Sequence, residues 1–295
     1  MTRISLDHIN SADKFAFIAA LGDIFEHAPW VAESTFTQKP FATLAALHDA
    51  LMSVVKNAAH ERQVAMIKGH PDLAGKAARA GSLTPSSKAE QADAGLDRLS
   101  NEEFETFQRL NAAYRSKFGI PFIVCVRRHT KDSILHQFEL RLKNETVAEH
   151  NTALAEIFRI TALRLDQRVD APDRLKVNGH LSTHILDTQS GRPASGVAVE
   201  LLEVANAGQT ALLTHIITNL NGRTDKPLIG DRPIPIGRYE LRFAIGDYFA
   251  RMKATLADPP FLDVVPVRFA VADPEGDYHI PLLITPWSYS TYRGS

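Results

Sequence analysis

Three polar residues in the second half of the chain have side chains that can take part in proton transfer and charge stabilisation. His184 and His279 lie in short alternating apolar stretches, and Arg223 follows the turn Asn221-Gly222. A neutral imidazole accepts a proton near pH 7, and a guanidinium keeps its positive charge at every physiological pH. Taken singly, each has an ordinary structural explanation, because a strand histidine is usually half-buried and an arginine after a turn is usually solvated.

The histidines do not form a recognisable metal motif. His184, His215 and His279 have no HExxH spacing, and carboxylates do not cluster with them. The single cysteine, Cys125, cannot build a disulfide framework or a cysteine metal site, which suits a reducing compartment. We therefore expect no metal and no cofactor.

In the first half, IKGHPDLAGK and LTPSSKAEQ contain polar residues with two possible explanations. His70 precedes Pro71, which disfavours helical backbone at His70 and predicts a helix end, where a side chain can face a cavity. Ser87 and Glu90 have the spacing of a capping box, and that structural role alone would explain both residues. The spacing does not separate a catalytic Glu90 from a helix cap.

Residues 1 to about 169 have the period of helices. PFATLAALHDALMSVV places Pro40 at a possible first helical position. Its apolar residues recur three or four positions apart as one buried stripe: Leu44, Leu47, Leu51 and Val54. Ser100 with Glu103 predicts a capping box at the start of NEEFETFQRLNAAYRSKF. Only GIPFIVCVR, residues 119–127, interrupts this period, and it predicts a short extended segment or a buried connection.

From Gly179 onward the period changes to two. RYELRFAI is typical, since Tyr239, Leu241, Phe243 and Ile245 alternate with polar or small residues. Seven or so short strands separated by turns predict a β-sandwich, with GDYFARMKATLA as its one short helix. The polar stretch DAPDRLKVN predicts a linker. We expect a multidomain chain: an all-α domain at 1–169, a linker at 170–178 and an all-β two-sheet sandwich at 179–295.

Composition excludes several classes of partner. The formal net charge is −1, so a nucleic acid or an anionic membrane, which requires a basic field, is not expected as a partner. The first residues lack an apolar signal region, and no apolar run approaches the ~20 residues of a membrane span. The chain does not end in a Ser-Lys-Leu type tripeptide. We expect a protein of the cytoplasm that acts on small molecules.

The second half resembles the 5-hydroxyisourate hydrolases, the enzyme branch of the transthyretin-like family. The resemblance rests on THILDTQSGRPASGV, TNLNGR and YHIPLLITPWSYSTYRGS. The ending YRGS is its most specific element, because the thyroid-hormone carriers of the same fold lack it. The resemblance implies a homo-oligomer, a tetramer with active sites in channels between subunits. It also implies the site residues: catalytic His184, Arg223, His279 and Ser295, and substrate-binding Tyr292, Arg293 and Gly294.

The implied reaction explains these residue types. Opening the ring of 5-hydroxyisourate is an amide-type hydrolysis at an activated carbonyl, which requires a base to activate water. It also requires a cation where the oxyanion develops, which the resemblance assigns to Arg223. Whether His184 or His279 is the base stays open.

The first half resembles the decarboxylases of 2-oxo-4-hydroxy-4-carboxy-5-ureidoimidazoline (OHCU), an all-helical and generally dimeric family. The resemblance rests on HPDLAGK, SLTPSSKAEQADAGL, LNAAYRSKFGIPFIVCVR and ITALRL. By motif position, His70 matches the catalytic histidine and Glu90 its acidic neighbour. The matched substrate-binding positions are Pro71, Ser87, Gln91, Phe122, Ile123, Val124, Cys125, Val126 and Arg164. Ile120 stands where the family usually has phenylalanine.

The two implied reactions are consecutive, since hydrolysis of 5-hydroxyisourate produces OHCU and decarboxylation of OHCU gives (S)-allantoin. Fusing the two domains raises the local concentration of one site's product near the other, which does not by itself imply channelling. The alternative is a transthyretin-like binding or scaffold protein fused to a helical domain, with at most one working site.

Overall fold

The computed structural model describes residues 3–75 and 83–294, and the chain divides into two compact units. The first unit comprises residues 1–127 and 133–177, and the second comprises residues 128–132 and 178–295. The predicted domain limits of 1–169 and 179–295 stay a prediction, since compactness alone does not show that a segment folds independently. Within the described ranges, no helix combines the length and apolar character that crossing a membrane requires.

The first unit is helical, as predicted. The helices of its described part are α1 Leu6–Ser11, α2 Lys14–Leu21, α3 Trp30–Thr35, α4 Leu44–Lys56, α5 His60–Lys68, α6 Pro85–Asp93, α7 Asn101–Phe118, α8 Lys131–Arg141 (whose first two residues cluster with the second unit) and α9 Thr146–Arg168. Short 3-10 turns span Phe36–Gln38 and Val126–Arg128, and the two-residue strands β1 Ile4–Ser5 and β2 Val169–Asp170 pair in parallel.

Side-chain caps explain where α4 and α7 begin. The Thr43 hydroxyl accepts from the Ala46 N–H at 3.0 Å, so α4 starts at Leu44, and the prediction of Pro40 as its first helical residue was wrong. The capping box predicted at α7 is confirmed, with hydrogen bonds in both directions between Ser100 and Glu103 of 3.1 Å and 2.7 Å.

Of the two explanations left open for Ser87 and Glu90, the capping box does not form. The N-cap of α6 is Thr84, whose hydroxyl accepts from the Ser87 N–H at 3.3 Å, and Pro85 follows as the first helical residue. Ser87 and Glu90 therefore lie within α6. Their side chains do not cap its N-terminus and are available for other contacts.

The interruption predicted at residues 119–127 is confirmed as a buried connection. Gly119 ends α7 in the left-handed conformation, with φ of 68°, and its N–H donates to the Arg115 carbonyl. Residues 120–125 have no regular secondary structure and are buried, so this segment crosses the interior of the helical unit. Around it, the core contains large side chains that are almost fully buried, including Phe17, Phe25, Phe107, Tyr114 and Phe138.

The second unit is a two-sheet β-sandwich, as predicted. Its elements are β3 His180–Asp187, β4 Arg192–Pro193, β5 Ala198–Val204, β6 Thr210–Ile217, β7 Gly237–Ala244, α10 Ile245–Arg251, β8 Val264–Val271, β9 Asp277–Ile284 and β10 Tyr289–Thr291. One sheet has the order β10-β9-β3-β4 and the other β6-β5-β7-β8. β3 and β9 run parallel, and all other pairs in the two sheets are antiparallel.

Alternation along the strands decides which residues face the sandwich core. On β7, Tyr239, Leu241 and Phe243 are fully buried between the sheets, as their period predicted. The same rule on β3 buries Leu181, Thr183 and Ile185 and turns Ser182 and His184 outward. The outward face of β3 and β9 therefore carries polar side chains on a rigid sheet.

Candidate active sites

A cavity in the helical unit collects most of the residues predicted for the first site. It encloses about 370 Å³, counting the space at its mouth. Of the predicted residues, those that line it are His70, Pro71, Ser87, Glu90, Gln91, Phe122, Ile123, Val124, Val126 and Arg164. Glu26, Leu73 and Ile160 also line it, and the motifs did not single them out. The cavity thus joins five parts of the chain: the α2–α3 connection, the end of α5 with the loop after it, α6, the buried connection and α9.

His70 is held as a neutral imidazole at the end of α5. Its side chain is buried, and its Nδ1–H donates to the Met66 carbonyl at 3.1 Å. Burial lowers the pKa of His70, and although the Glu26 carboxylate opposes this shift, the pKa stays below its ordinary value. Since Nδ1 carries the proton, the unprotonated Nε2 is the nitrogen that can exchange a proton with a bound molecule.

Glu90, which is partly buried, and Arg164, which is buried, form a two-point ion pair between α6 and α9. The Nε and Nη2 groups of Arg164 donate to the two carboxylate oxygens of Glu90 at 2.7 Å and 2.8 Å. Burial acts to lower the pKa of Arg164, but the charges of Glu90 and Glu26 outweigh it and raise this pKa. Glu90 therefore holds a cation on the cavity wall rather than capping a helix.

Glu26 is a cavity residue that the motifs missed. Its carboxylate is 3% exposed and accepts hydrogen bonds from Ser87 at 2.6 Å and 2.8 Å, from Thr84 at 2.6 Å and from Arg164 at 3.4 Å. Burial opposes its ionisation, but these donors and the Arg164 charge outweigh burial and lower the pKa of Glu26. The available signal was a carboxylate inside the apolar stretch DIFEHAPW, which requires a partner if buried.

The buried connection is held from behind by charged residues that do not line the cavity. Arg141 donates from Nη1 to the Ile123 carbonyl at 2.6 Å, and the Glu156 carboxylate accepts from the Cys125 N–H at 2.8 Å. Cys125 differs from its predicted neighbours, because its side chain packs with Leu163 and Val177 away from the cavity wall. The connection is a wall of the cavity, and hydrogen bonds to charged groups position its backbone.

Gln91 has a defined orientation beside Ser87. Its amide oxygen accepts from the Ala74 N–H at 3.0 Å, which leaves the amide nitrogen to donate to a ligand. Ala74 has a positive φ of 49°, so Gln91 also helps to hold a strained turn of the loop after His70.

In the second unit, the sheet and one turn bring His184, His279 and Arg223 together. β3 and β9 pair in parallel with Ser182 opposite His279. Arg223 pairs with His184 through an isolated antiparallel β-bridge of the backbone. Gly222 makes this approach possible, since its φ is 69° and a Cβ there would lie 2.3 Å from the Ile185 carbonyl oxygen. The three predicted residues form one half-open cluster on the outward face of the sheet.

The histidines of this cluster have lowered pKa values. Burial lowers the pKa of His184, and the Arg223 charge lowers it further, although a hydrogen bond with the Asn221 backbone opposes the shift. Burial, Arg223 and His184 lower the pKa of His279. Both imidazoles are therefore neutral at pH 7 and able to accept a proton.

Ser182 is a further polar residue of this cluster that the motifs missed. Its hydroxyl lies 2.9 Å from Nδ1 of His279 in a hydrogen bond across the sheet. The signal in the sequence was its position two residues before His184, which places both side chains on the same face of β3. Ser182 fixes the orientation of the His279 ring.

The C-terminal residues continue the sheet beside His279. Gly294 donates its N–H to the His279 carbonyl at 2.8 Å, and a Cβ at Gly294 would lie 2.8 Å from the Cδ2 atom of that ring. Arg293 stacks over the Tyr278 ring at 4.8 Å, and Tyr292 is largely exposed. Ser295 lies outside the described residues. Glycine at 294 is thus required by its close approach to a histidine of the cluster.

Histidine, cysteine and carboxylate side chains do not come together as a metal site in the described ranges. No group of three or more such residues that could hold a metal ion is found among them. His215 lies on β6, in the sheet opposite to that of His184 and His279.

Comparisons with known proteins divide the chain in the same way. The family described as OHCU decarboxylase matches residues 10–166, and the HIUase/Transthyretin family matches residues 181–294. The OHCU decarboxylase of Halalkalicoccus jeotgali is 40% identical over 167 residues, which cover 57% of this chain and 93% of the relative. The 5-hydroxyisourate hydrolase of Deinococcus radiodurans is 54% identical over 121 residues, covering 40% of this chain and 100% of the relative.

A solved structure spans both units. The crystal structure of (S)-allantoin synthase is 31% identical, covers 99% of this chain and 100% of its own, and superposes with a TM-score of 0.53. The order of a helical half followed by a β half is therefore found in another protein.

Proposed function

Because the chain belongs to the OHCU decarboxylase family over residues 10–166 and to the HIUase/Transthyretin family over residues 181–294, we propose that it catalyses two consecutive steps of urate degradation. The second unit hydrolyses 5-hydroxyisourate to OHCU, and the first unit decarboxylates OHCU to (S)-allantoin. The observation that carries this proposal is the cavity of the helical unit, which joins a neutral His70 to the paired Glu90 and Arg164.

The decarboxylation requires orientation and proton control rather than an electron-accepting cofactor. The carboxylate of OHCU is attached to a carbon beside a ring imine, so the electrons left by departing CO2 can delocalise into the ring. In this proposal His70, through Nε2, and Glu90 handle the protons, and protonation on one face gives a single enantiomer. Glu90 keeps Arg164 extended into the cavity, and Arg164 and Gln91 bind the ureido and carbonyl groups.

The hydrolysis uses the cluster on the outward face of the sheet. A neutral His184 or His279 removes a proton from water as it attacks the activated carbonyl. Arg223 stabilises the oxyanion that forms and, through its charge, keeps both imidazoles unprotonated. The terminal residues Tyr292, Arg293 and Gly294 bind the substrate, with Gly294 beside His279.

We also propose that the hydrolase unit works as a homo-oligomer, with its sites closed by a neighbouring subunit. In the single chain Arg223 and Tyr292 are exposed and both histidines are half-buried, so the cluster is open to water on one side. Light scattering after size exclusion should give a multiple of 32.6 kDa. We expect the enzyme to act in the cytoplasm.

The deciding experiment follows urate while urate oxidase generates 5-hydroxyisourate in the presence of the full chain. We expect the absorbance of 5-hydroxyisourate to disappear faster than it does without the chain. We also expect circular dichroism to show accumulation of optically active allantoin. Racemic allantoin formed at the spontaneous rate would exclude the decarboxylase activity, and unaltered decay of 5-hydroxyisourate would exclude the hydrolase activity.

A further inference from the structure

We propose that Glu26 is a positioning residue of the decarboxylase cavity, which fixes the Ser87 hydroxyl as a hydrogen-bond acceptor for an N–H group of the substrate. The inference rests on the proposed decarboxylase function and specifies how the cavity recognises a ureido group. Glu26 and Ser87 are both buried and both line the cavity.

The direction of the hydrogen bond between the two residues follows from the charge of Glu26. An ionised carboxylate has no proton and only accepts hydrogen bonds. Ser87 Oγ lies 2.8 Å and 2.6 Å from the two oxygens of Glu26, so its single hydroxyl proton is directed at that carboxylate. The Ser87 oxygen then has only lone pairs to offer to a molecule in the cavity.

Independent contacts hold Glu26 in its ionised form and in place. Thr84 donates to Oε1 of Glu26 at 2.6 Å, and the Arg164 guanidinium contributes a longer contact to Oε2 at 3.4 Å. Thr84 is itself the N-cap of α6, so Glu26 is attached to the first turn of the helix that carries Ser87. A carboxylate that is bound by three donors and almost inaccessible to water has little freedom to turn or to take up a proton.

Gln91 supplies the complementary group one helical turn further along. Ser87 and Gln91 are four residues apart on α6, which places their side chains on the same face of the helix. The Gln91 amide oxygen is bound to the Ala74 N–H, so its nitrogen donates toward the cavity. An acceptor at Ser87 beside a donor at Gln91 matches the N–H and C=O of an amide or urea, the chemistry of a ureido substituent.

The test measures steady-state decarboxylation by the full chain, with OHCU generated in situ and optically active allantoin followed by circular dichroism. We compare wild type, Glu26→Gln, Ser87→Ala and the double variant. A glutamine at position 26 keeps the shape but can donate to the Ser87 oxygen, which removes the acceptor from the substrate. We expect each single variant to raise KM about tenfold with kcat within a factor of about three, the size of one hydrogen bond.

Coupling between the two residues distinguishes positioning from a general loss of stability. If Glu26 acts through Ser87, the double variant should have the KM of Ser87→Ala within a factor of about two, because the second change has nothing further to remove. Glu33→Gln is the matched control, since Glu33 is an exposed carboxylate of the same unit paired with Lys14, and it should leave KM unchanged.

Several results would overturn the proposal. They are an unchanged KM in Ser87→Ala, an unchanged KM in Glu26→Gln, and a double variant whose rise in KM is the product of the two single rises. If Glu26→Gln fails to fold, thermal unfolding will show this. In that case the single variant Ser87→Ala still decides whether the Ser87 hydroxyl binds the substrate. A wild type that gives only racemic allantoin would instead refute the proposed function itself, so the two failures are distinguishable.

Discussion

Arg164 and Glu90 pair on the wall of the cavity of the helical unit through two hydrogen bonds, 2.7 Å and 2.8 Å long. The residues are 74 positions apart and lie on α9 and α6, so neither helix alone contains this relationship. This pairing places Glu90 on the cavity wall. It excludes the helix-capping role that the spacing of Ser87 and Glu90 also allowed.

Glu90→Gln should abolish most of the decarboxylation and leave hydrolysis intact. A neutral amide cannot exchange a proton with the substrate or His70, and it holds Arg164 less firmly, so we expect turnover to fall by about 10²-fold or more. Circular dichroism of the allantoin formed from OHCU measures this. Glu103→Gln is the matched control, because Glu103 belongs to the capping box of α7, outside the cavity. Equal turnover in Glu90→Gln and wild type would leave Glu90 without a catalytic role.

Decarboxylation should persist at pH values below the ordinary pKa of histidine. Burial holds the pKa of His70 below its ordinary value of 6.5, so the imidazole stays neutral as the pH falls past that value. We expect kcat/KM to stay nearly constant as the pH falls past 6.5 and to decline only around the lowered pKa of His70. A pH profile with its midpoint at or above 6.5 would contradict a neutral, buried His70 as the titrating group.

The free energy of unfolding of the helical unit should also depend on pH through His70. A depressed pKa in the folded state means that the unfolded chain binds the proton more readily. The contribution of neutral His70 to the free energy of unfolding is therefore complete above pH 6.5 and is lost as the pH falls through its lowered folded pKa. Chemical denaturation at several pH values should show that the free energy of unfolding falls less below pH 6.5 in His70→Asn than in wild type, since His48, whose pKa burial also lowers, contributes equally to both.

Arg223→Gln should slow hydrolysis and move its acid limb to higher pH. The Arg223 charge lowers the pKa of both His184 and His279, so its removal raises both values toward the ordinary one. The loss of an oxyanion donor lowers kcat by about 10²- to 10³-fold. Decay of 5-hydroxyisourate absorbance across pH measures both effects.

The control for Arg223 is an arginine of the opposite sheet. Arg268, on β8, pairs with Glu240 and lies outside the cluster of His184, so Arg268→Gln should leave the pH profile of hydrolysis unchanged. An acid limb that stays in place in Arg223→Gln would show that the arginine does not act on the histidines.

Gly294→Ala should impair hydrolysis alone. The added Cβ would lie 2.8 Å from Cδ2 of His279, so the ring or the terminal strand must shift, and a displacement of this kind costs about 10²-fold in rate. Decarboxylation by the same molecules is the internal control, and Ser290→Ala, on the exposed side of β10, is the control variant. Hydrolysis at the wild-type rate would remove the terminal segment from the site.

The architecture was predictable because the pattern of apolar residues that determines it repeats along the chain. A stripe of apolar residues on α4 and the alternation on β7 each recur over several turns or residue pairs, so single exceptions do not change the fold class. The motifs likewise predicted most of the cavity wall, with Cys125 as the member whose side chain packs elsewhere.

The missed residues lack any such repetition. Glu26 is one carboxylate in an apolar stretch, and its partners Ser87 and Arg164 are 61 and 138 positions away in the chain. Ser182 is one serine whose partner, His279, lies 97 positions away. A hydrogen bond between distant segments leaves no spacing in the sequence, since it depends on where folding brings two atoms.

The sequence by itself thus determined the two architectures, the families of the two halves and the chemical types present at each site. Only the tertiary structure decided which partner each ionisable group has: Glu90 with Arg164, Glu26 with Ser87 and Ser182 with His279. The physical reason is the distance along the chain that separates the interacting residues. Helical and strand periods act between near neighbours in the chain, whereas pKa values and hydrogen-bond directions depend on contacts of about 3 Å between segments that meet only in the folded protein.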